Sequence, residues 1–308
     1  MSRILVSLGG NALGTDFDEL VELVGVVAKP IVDLLEAGHE IVICHGNGPQ
    51  VGMIKSAIDS GKAISQRPSV PLSEAVAMSQ AYVGYHLQNA IENQLHARGL
   101  HKTVCTLISR VVVDADDPMF QRSTKPIGAF FTAEEAERLR KAGKTMIEDS
   151  GRGYREVVAS PMPTDILEKE AILGLVSAGH VVIAGGGGGI PTVCKDNWYK
   201  AIDAVIDKDY VSVMLAADAQ CDAMAILTGV EKVAINFNTP TQQDLNELTV
   251  ADVEKYIAEG QFAEGSMLPK MRAAIRFTTS GPGRRTLITS LDKLVEGLKG
   301  QTGTWVVP

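Results

Sequence analysis

Ile4-Leu-Val-Ser-Leu8 is a short run of mostly branched residues that stops abruptly at Gly9-Gly10-Asn11. A run of that length ending in glycines reads as a buried strand entering a tight turn. A helix is predicted to follow, because Val21, Val24, Val27, Ile31, Leu34 and Leu35 recur at helical spacing. Pro30 is expected to kink that helix and Gly38 to stop it. The same unit returns twice: residues 39–44 run into His45-Gly46-Asn47-Gly48, and residues 180–184 run into the glycines 185–189. Strand, glycine turn and helix in repetition mean a parallel sheet covered by helices, an α/β fold.

Outward from these units, helices are predicted at 73–97, 166–177, 207–217, 250–259, 268–277 and 291–298. Further strands are predicted at 103–109, 223–227, 232–235, 285–289 and 304–307. Between 116 and 163 the alternation breaks into a polar, turn-rich stretch with one charged helix near 133–142. It reads as an excursion from the sheet, a small protruding lobe with its own hairpins.

The chain has 308 residues, 45% of them hydrophobic, enough for a substantial core and too apolar for general disorder. Its formal net charge of -8 argues against a nucleic-acid or anionic-membrane surface, which needs concentrated positive potential. Cys44, Cys105, Cys194 and Cys221 lie far apart with no Cys-x-x-Cys pair, and are expected as buried thiols of a reducing compartment. No stretch approaches the length of a bilayer span, so a cytoplasmic location is the expectation.

Ligands of parallel sheets collect where strand ends meet helix N-termini and free backbone N–H groups. Gly9-Gly10, Gly46-x-Gly48 and the cluster containing Gly187 and Gly188 follow three predicted strands, so together they could line one anion-binding crevice. One such pair alone is ordinarily just a turn. Neither G-x-x-x-x-G-K-[ST] nor a full G-x-G-x-x-G occurs, which disfavours P-loop and dinucleotide-binding readings. A phosphate cradle needs cations, and Lys125, Lys208 and Lys270 sit among apolar or turn-forming neighbours where a surface lysine is not expected. Asp209 could orient ammonium groups or a magnesium-bound water, while Asp207 reads as a helix cap. The six histidines have no metal-ligand spacing, and His45 reads as a strand-end hydrogen-bonding residue.

Leu8-Gly-Gly-Asn-Ala-Leu13, His45-Gly-Asn-Gly-Pro-Gln-Val-Gly52, Ala77-Met-Ser-Gln80, Lys125-Pro-Ile-Gly128, Gly151-Arg-Gly153, Gly186-Gly-Gly-Gly-Ile-Pro191, Val205-Ile-Asp-Lys-Asp209 and Gly265-Ser-Met-Leu-Pro-Lys270 resemble the carbamate kinase family over essentially the whole chain. The resemblance implies an open αβα sandwich of the amino-acid-kinase fold with a mainly parallel central sheet. It implies one domain, 1–308: a half of about 1–200 for the acid, with the lobe at about 116–163, and a half of about 201–308 for the nucleotide. It implies ATP synthesis from carbamoyl phosphate and ADP with Mg²⁺, in a homodimer. Gly9, Gly10, Asn11, Gly46, Asn47, Gly48, Gly187 and Gly188 would surround the transferring phosphoryl group. Lys208 and Lys270 would neutralise its charge, Asp209 would organise them and hold any metal through water, and Lys125 would reach in from the lobe. Thr228, Gly229, Met267, Lys208 and Lys270 would meet the nucleotide. Relatives in the wider superfamily carry a lysine where this chain has Ser7, a role the resemblance passes to Lys208.

The family usually reads Lys-Pro-Ile-Gly-Pro-Phe and Arg-Arg-Val-Val-Pro-Ser-Pro-Lys-Pro where this chain has Ala129, Glu156, Ala159 and Met162. Two positive charges are lost from the lobe, so a changed acid substrate, affinity or lobe closure is to be sought there. Carbamate and the terminal phosphate of ADP are both anions, so no general base is demanded. Two other readings stand beside this one: a related small-acid kinase, or a weakly catalytic protein that binds nucleotide or carbamoyl phosphate as a regulator.

Overall fold

The computed structural model describes residues 2–9, 12–65, 69–149 and 151–308. Its centre is an eight-stranded sheet in the order Glu247–Thr249, Thr304–Val307, Arg285–Thr289, Ala223–Leu227, Arg3–Leu8, Glu40–His45, Val181–Ile183, Val104–Thr106. The strands pair in parallel apart from Arg285–Thr289 with Thr304–Val307. Both faces are covered, as the strand sequences require. Ile4, Val6, Leu8, Ile41, Ile43, Val181, Ile183, Ala225 and Leu287 face one apolar cluster with the helices Phe17–Glu36 and Leu72–Ala97. Leu5, Val42, Cys44, Val182, Met224 and Ile288 face another, with Lys208–Asp218 and Met267–Thr278. Period-two alternation with both sides apolar produces this three-layer αβα arrangement.

The first strand is central, and its neighbours come from opposite ends of the chain. The following helix leads to Glu40–His45 on one side, while Ala223–Leu227 lies on the other. That makes the carboxyl end of Arg3–Leu8 a topological switch point, where doubly wound sheets bind ligands.

Several expectations need correction. Val21 is 45% exposed, its predicted place in the buried stripe taken by Leu20. The helix Phe17–Glu36 runs without interruption through Pro30; the carbonyl that Pro30 cannot serve is that of Val26, itself on the exposed side. The predicted strand 103–109 is cut short after Val104–Thr106, because the Gln80 amide binds both the N–H and the carbonyl of Ser109. Arg110–Val113 then joins a second sheet with Pro163–Ile166, Ile190–Lys195 and Trp198–Ala201. The last two form a hairpin whose turn, Asp196-Asn197, has φ of 51° and 63°, the left-handed pair that two-residue hairpins require. Val233–Ile235 lies outside the main sheet, paired with Gln243–Leu245. Cys194 is exposed and Cys105 half-buried, so only Cys44 and Cys221 are the buried thiols expected.

The helix Gly48–Ser65 fills the second crossover, a place the periodicity left blank because glycines at 48, 52 and 61 interrupt its apolar pattern. The excursion at 116–163 is a three-stranded antiparallel sheet, Lys125–Phe131, Tyr154–Val158 and Met146–Glu148, with the helix Ala133–Lys141 held by a Thr132/Glu135 capping box. Its Gly128 docks on the helix Gly48–Ser65, where a Cβ at Gly52 would lie 2.1 Å from the Gly128 Cα. Among the described residues no helix is long and apolar enough to cross a membrane.

Candidate active site

Ser7 lies on the same sheet face as Leu5, so its hydroxyl meets the helix Lys208–Asp218. Lys208 Nζ donates to Ser7 Oγ at 2.8 Å and to Asp209 Oδ1 at 2.6 Å, and Ser212 Oγ donates to Ser7 at 3.0 Å. Lys208 thus brings its ammonium to the end of the central strand from a different element. Lys270, from the first turn of Met267–Thr278, donates to Asp209 Oδ2 at 3.2 Å. Asp209 is 4% exposed and both of its oxygens serve lysines.

Burial by itself would raise the Asp209 carboxyl, but Lys208 and then Lys270 outweigh it and hold it well below the usual carboxylate range. Burial likewise opposes the charge on Lys208, and Asp209 more than restores it, so the ammonium is raised above its ordinary value. The result is two lysines fixed in the charged state around one carboxylate, with a surplus positive charge at the N-termini of two helices. Such a place attracts anions.

Lys125 arrives from the lobe and donates to Asp207 Oδ2 at 2.6 Å, while Asp207 Oδ1 accepts the Asp209 N–H at 3.0 Å. The cap foreseen at Asp207 is present, and the same carboxylate also holds the lobe lysine, which sequence reasoning missed. Ser212 was missed as well; helical spacing from Lys208 was the only available signal.

The glycines act largely through close packing. A Cβ on Gly187, where φ is +64°, would lie 2.0 Å from Asn47 Nδ2; one on Gly188 would lie 2.1 Å from the Ile206 carbonyl oxygen; one on Gly9 would lie 2.9 Å from that of Leu227. The Gly46 N–H is donated to Leu8 and the Gly188 N–H to Gly185. Asn47 donates to Ser79 Oγ at 2.7 Å, and its carbonyl accepts the Val51 N–H of the helix that Gly48 opens. Gly10 and Asn11 lie outside the described residues.

His45 is buried against the Gly46 carbonyl, with Nδ1 2.8 Å away, and burial pushes it down to about 4. A neutral, enclosed imidazole is no proton carrier at neutral pH. Glu156, the reversed charge of the lobe, pairs with Lys144 at 2.6 Å, and Arg155 lies on the other side of the strand with Asp149 and the Gly128 carbonyl.

Thr228, Gly229 and Met267 line a single cavity of about 610 Å³ with Phe237, Phe262 and Ser266, and the helix that starts at Met267 also carries Lys270. That volume is in the usual range for a small-molecule site. Among the described residues no group of three or more His, Cys, Asp or Glu side chains could hold a metal ion. Asp209 has both oxygens engaged by lysines, so it suits a metal only through an intervening water, as Mg²⁺ carried on a nucleotide's phosphates would allow.

The model of the amino acid kinase family matches residues 2–290. The chain is 52% identical to the carbamate kinase-like protein YqeA of Escherichia coli K12, over 98% of each chain. It is 49% identical to the carbamate kinase of Staphylococcus haemolyticus, over 99% of each. Among solved structures, carbamate kinase from Giardia lamblia bound to AMP-PNP superposes with a TM-score of 0.89 at 36% identity, covering 99% of this chain and 98% of the other. The form of that enzyme bound to citric acid gives a TM-score of 0.92 at 36% identity and the same coverage.

Proposed function

The chain belongs to the amino acid kinase family, among its carbamate kinases, and from that premise we propose that it transfers a phosphoryl group from carbamoyl phosphate to ADP, giving ATP and carbamate. The observation that carries the reading is the pair Lys208 and Lys270 on the two oxygens of Asp209, placed beside the cavity lined by Thr228, Gly229 and Met267. Phosphoryl transfer asks the protein mainly to position two anions and to absorb charge on the equatorial oxygens.

In this reading the cavity takes ADP and the glycine turns 46–48 and 187–188 border the acid. Lys208 and Lys270 receive the transferring group between them, while Asp209 keeps their ammonium groups from turning away. Lys125 covers the acid from the lobe. The attacking phosphate oxygen is already anionic and carbamate leaves as an anion, so no side chain has to move a proton. Mg²⁺ bound to the nucleotide's phosphates would add further neutralisation of their charge, with Asp209 within reach of one of its waters. The enclosed, neutral His45 is consistent with this economy.

A homodimer belongs to the same proposal. The edge strand Val104–Thr106 and the groove beside it, with Tyr85 and Ile108 exposed, would accommodate a second copy, and sedimentation reads it directly. So does a cytoplasmic location.

The test is ATP formation from carbamoyl phosphate, ADP and Mg²⁺ in a coupled assay, with Lys270→Ala as control. The expected result is turnover in the native chain and a loss of at least about a hundredfold in kcat for the variant. A folded protein that binds ADP but makes no ATP from carbamoyl phosphate overturns the reading; ATP-dependent phosphorylation of another small acid would then identify a sibling kinase.

A further inference from the structure

We propose that Asp207 is a positioning residue that latches the lobe to the phosphate-binding centre, so that the tie of the lobe and the placement of Lys125 depend on one carboxylate. The inference rests on the phosphoryl-transfer reading for its kinetic consequence, and on geometry alone for the latch.

Residues 203–207 form a connector of unusual reach. Asp203 Oδ1 accepts the N–H groups of Leu72 and Ser73 at 2.9 and 3.4 Å, capping from a distance a helix whose own cap position, Pro71, makes no side-chain bond. The Val205 N–H donates to the Ala159 carbonyl at 3.0 Å, where the chain leaves the lobe. The Ile206 carbonyl lies against Gly188, close enough that only a glycine fits. Asp207 then caps the helix of Lys208 and Asp209 with one oxygen and holds Lys125 with the other. Within five residues the connector touches the acid-side helix, the lobe, the glycine turn and the lysine-bearing helix.

The lobe is joined to this connector at both of its adjacent strands. Lys125 stands opposite Val158 in the lobe sheet, and Ala159 follows directly. One strand is therefore tied by the Lys125–Asp207 ion pair and its neighbour by a backbone hydrogen bond. Beneath them, Ile127 of the lobe and Val205 of the connector share an apolar cluster with Val51, Leu72, Ala75 and Val76. The backbone bond and the apolar contacts hold the base of the lobe, and the ion pair adds a further tie at the same strands. The ion pair links lobe and connector through a long, flexible side chain: that of Lys125 is 34% exposed and that of Asp207 15%. A partner that shelters the carboxylate more than the ammonium holds the lysine in place and leaves its outer side open to a second anion.

Asp207→Asn isolates this role, because asparagine keeps a cap oxygen for the Asp209 N–H and places a neutral amide towards Lys125. The expected result is a KM for carbamoyl phosphate raised about tenfold with the KM for ADP changed less than about twofold. In a Lys125→Ala background the same substitution is expected to add nothing, since the cycle measures coupling through the pair. Asp207→Ser, which also caps without charge, serves as the second variant. Amide exchange across Lys125–Phe131 and Tyr154–Val158 is expected to quicken in both variants. That readout needs no turnover, so it judges the latch even if carbamoyl phosphate is not the substrate. An unchanged or lowered KM for carbamoyl phosphate, an equal further loss in the Lys125→Ala background, or unchanged exchange in the lobe strands overturns the proposal.

Discussion

The helix Lys208–Asp218 and the lobe strand Lys125–Phe131 each deliver a lysine to one site, but they hold it by different means. Lys208 is built into the core: its helix packs on the central sheet, its ammonium is enclosed with Ser7 and Asp209, and its side chain is 12% exposed. Lys125 stands on a small sheet outside the core, is about three times as exposed, and is kept in place by one carboxylate. Burial beside Asp209 keeps the first charge in place, because its ammonium is held by Asp209 and Ser7 and its helix is packed on the sheet. Partial exposure makes the second exchangeable. In the proposed reaction the first environment suits a charge that stabilises the transferring group, and the second a charge that admits and encloses a substrate.

Removing the core lysine should matter most. Lys208→Ala should lower kcat by about a thousandfold while ADP still binds, measured by turnover and by nucleotide titration. A loss no greater than that of Lys125→Ala would mean that the buried and the half-exposed lysine act alike. Next comes the neutral histidine behind the site. His45 is held down from 6.5 to about 4 in the folded chain, so the unfolded chain takes up its proton first as pH falls. Stability from this group is complete above pH 6.5 and is lost towards pH 4. Denaturant titrations at pH 7 and 4.5 should differ by about 2 to 3 kcal/mol more in the native chain than in His45→Gln.

A smaller effect is expected from Gly187→Ala, which meets Asn47 at a left-handed backbone position and should cost about 2 kcal/mol in the same titration at pH 7. The smallest should come from the lobe. Glu156→Arg breaks a half-exposed pair with Lys144, so we expect at most about 1 kcal/mol and a KM for carbamoyl phosphate within about threefold of the native value. A large change in KM would mean that Glu156 acts on the acid and that the lobe's altered charges tune its choice.

Much of the fold was legible for a plain reason. Both faces of the central strands are buried, so they appear as short apolar runs, and the glycine turns that end them cannot be replaced without collision at 187 and 188. Legibility failed where a distant partner overrode the local pattern or where glycines interrupted it. Gln80 ends the strand before Ser109 from 29 residues away, and three glycines masked the helix Gly48–Ser65. The hairpin at Ile190–Lys195 and Trp198–Ala201 did leave a signal, since Asp196-Asn197 between alternating residues is turn chemistry.

The α/β class, the excursion at 116–163 and the cap at Asp207 were open to reading in the sequence, which also singled out Lys125, Lys208, Lys270 and Asp209 as candidates, because strand length, helical spacing and local motifs are short-range properties. Which groups meet across long separations is a property of the folded chain alone. Ser7 and Lys208 are 201 residues apart and Lys125 and Asp207 are 82 apart. Contacts over such separations depend on the order of strands in the sheet and on how the lobe docks, and neither leaves a periodicity to read.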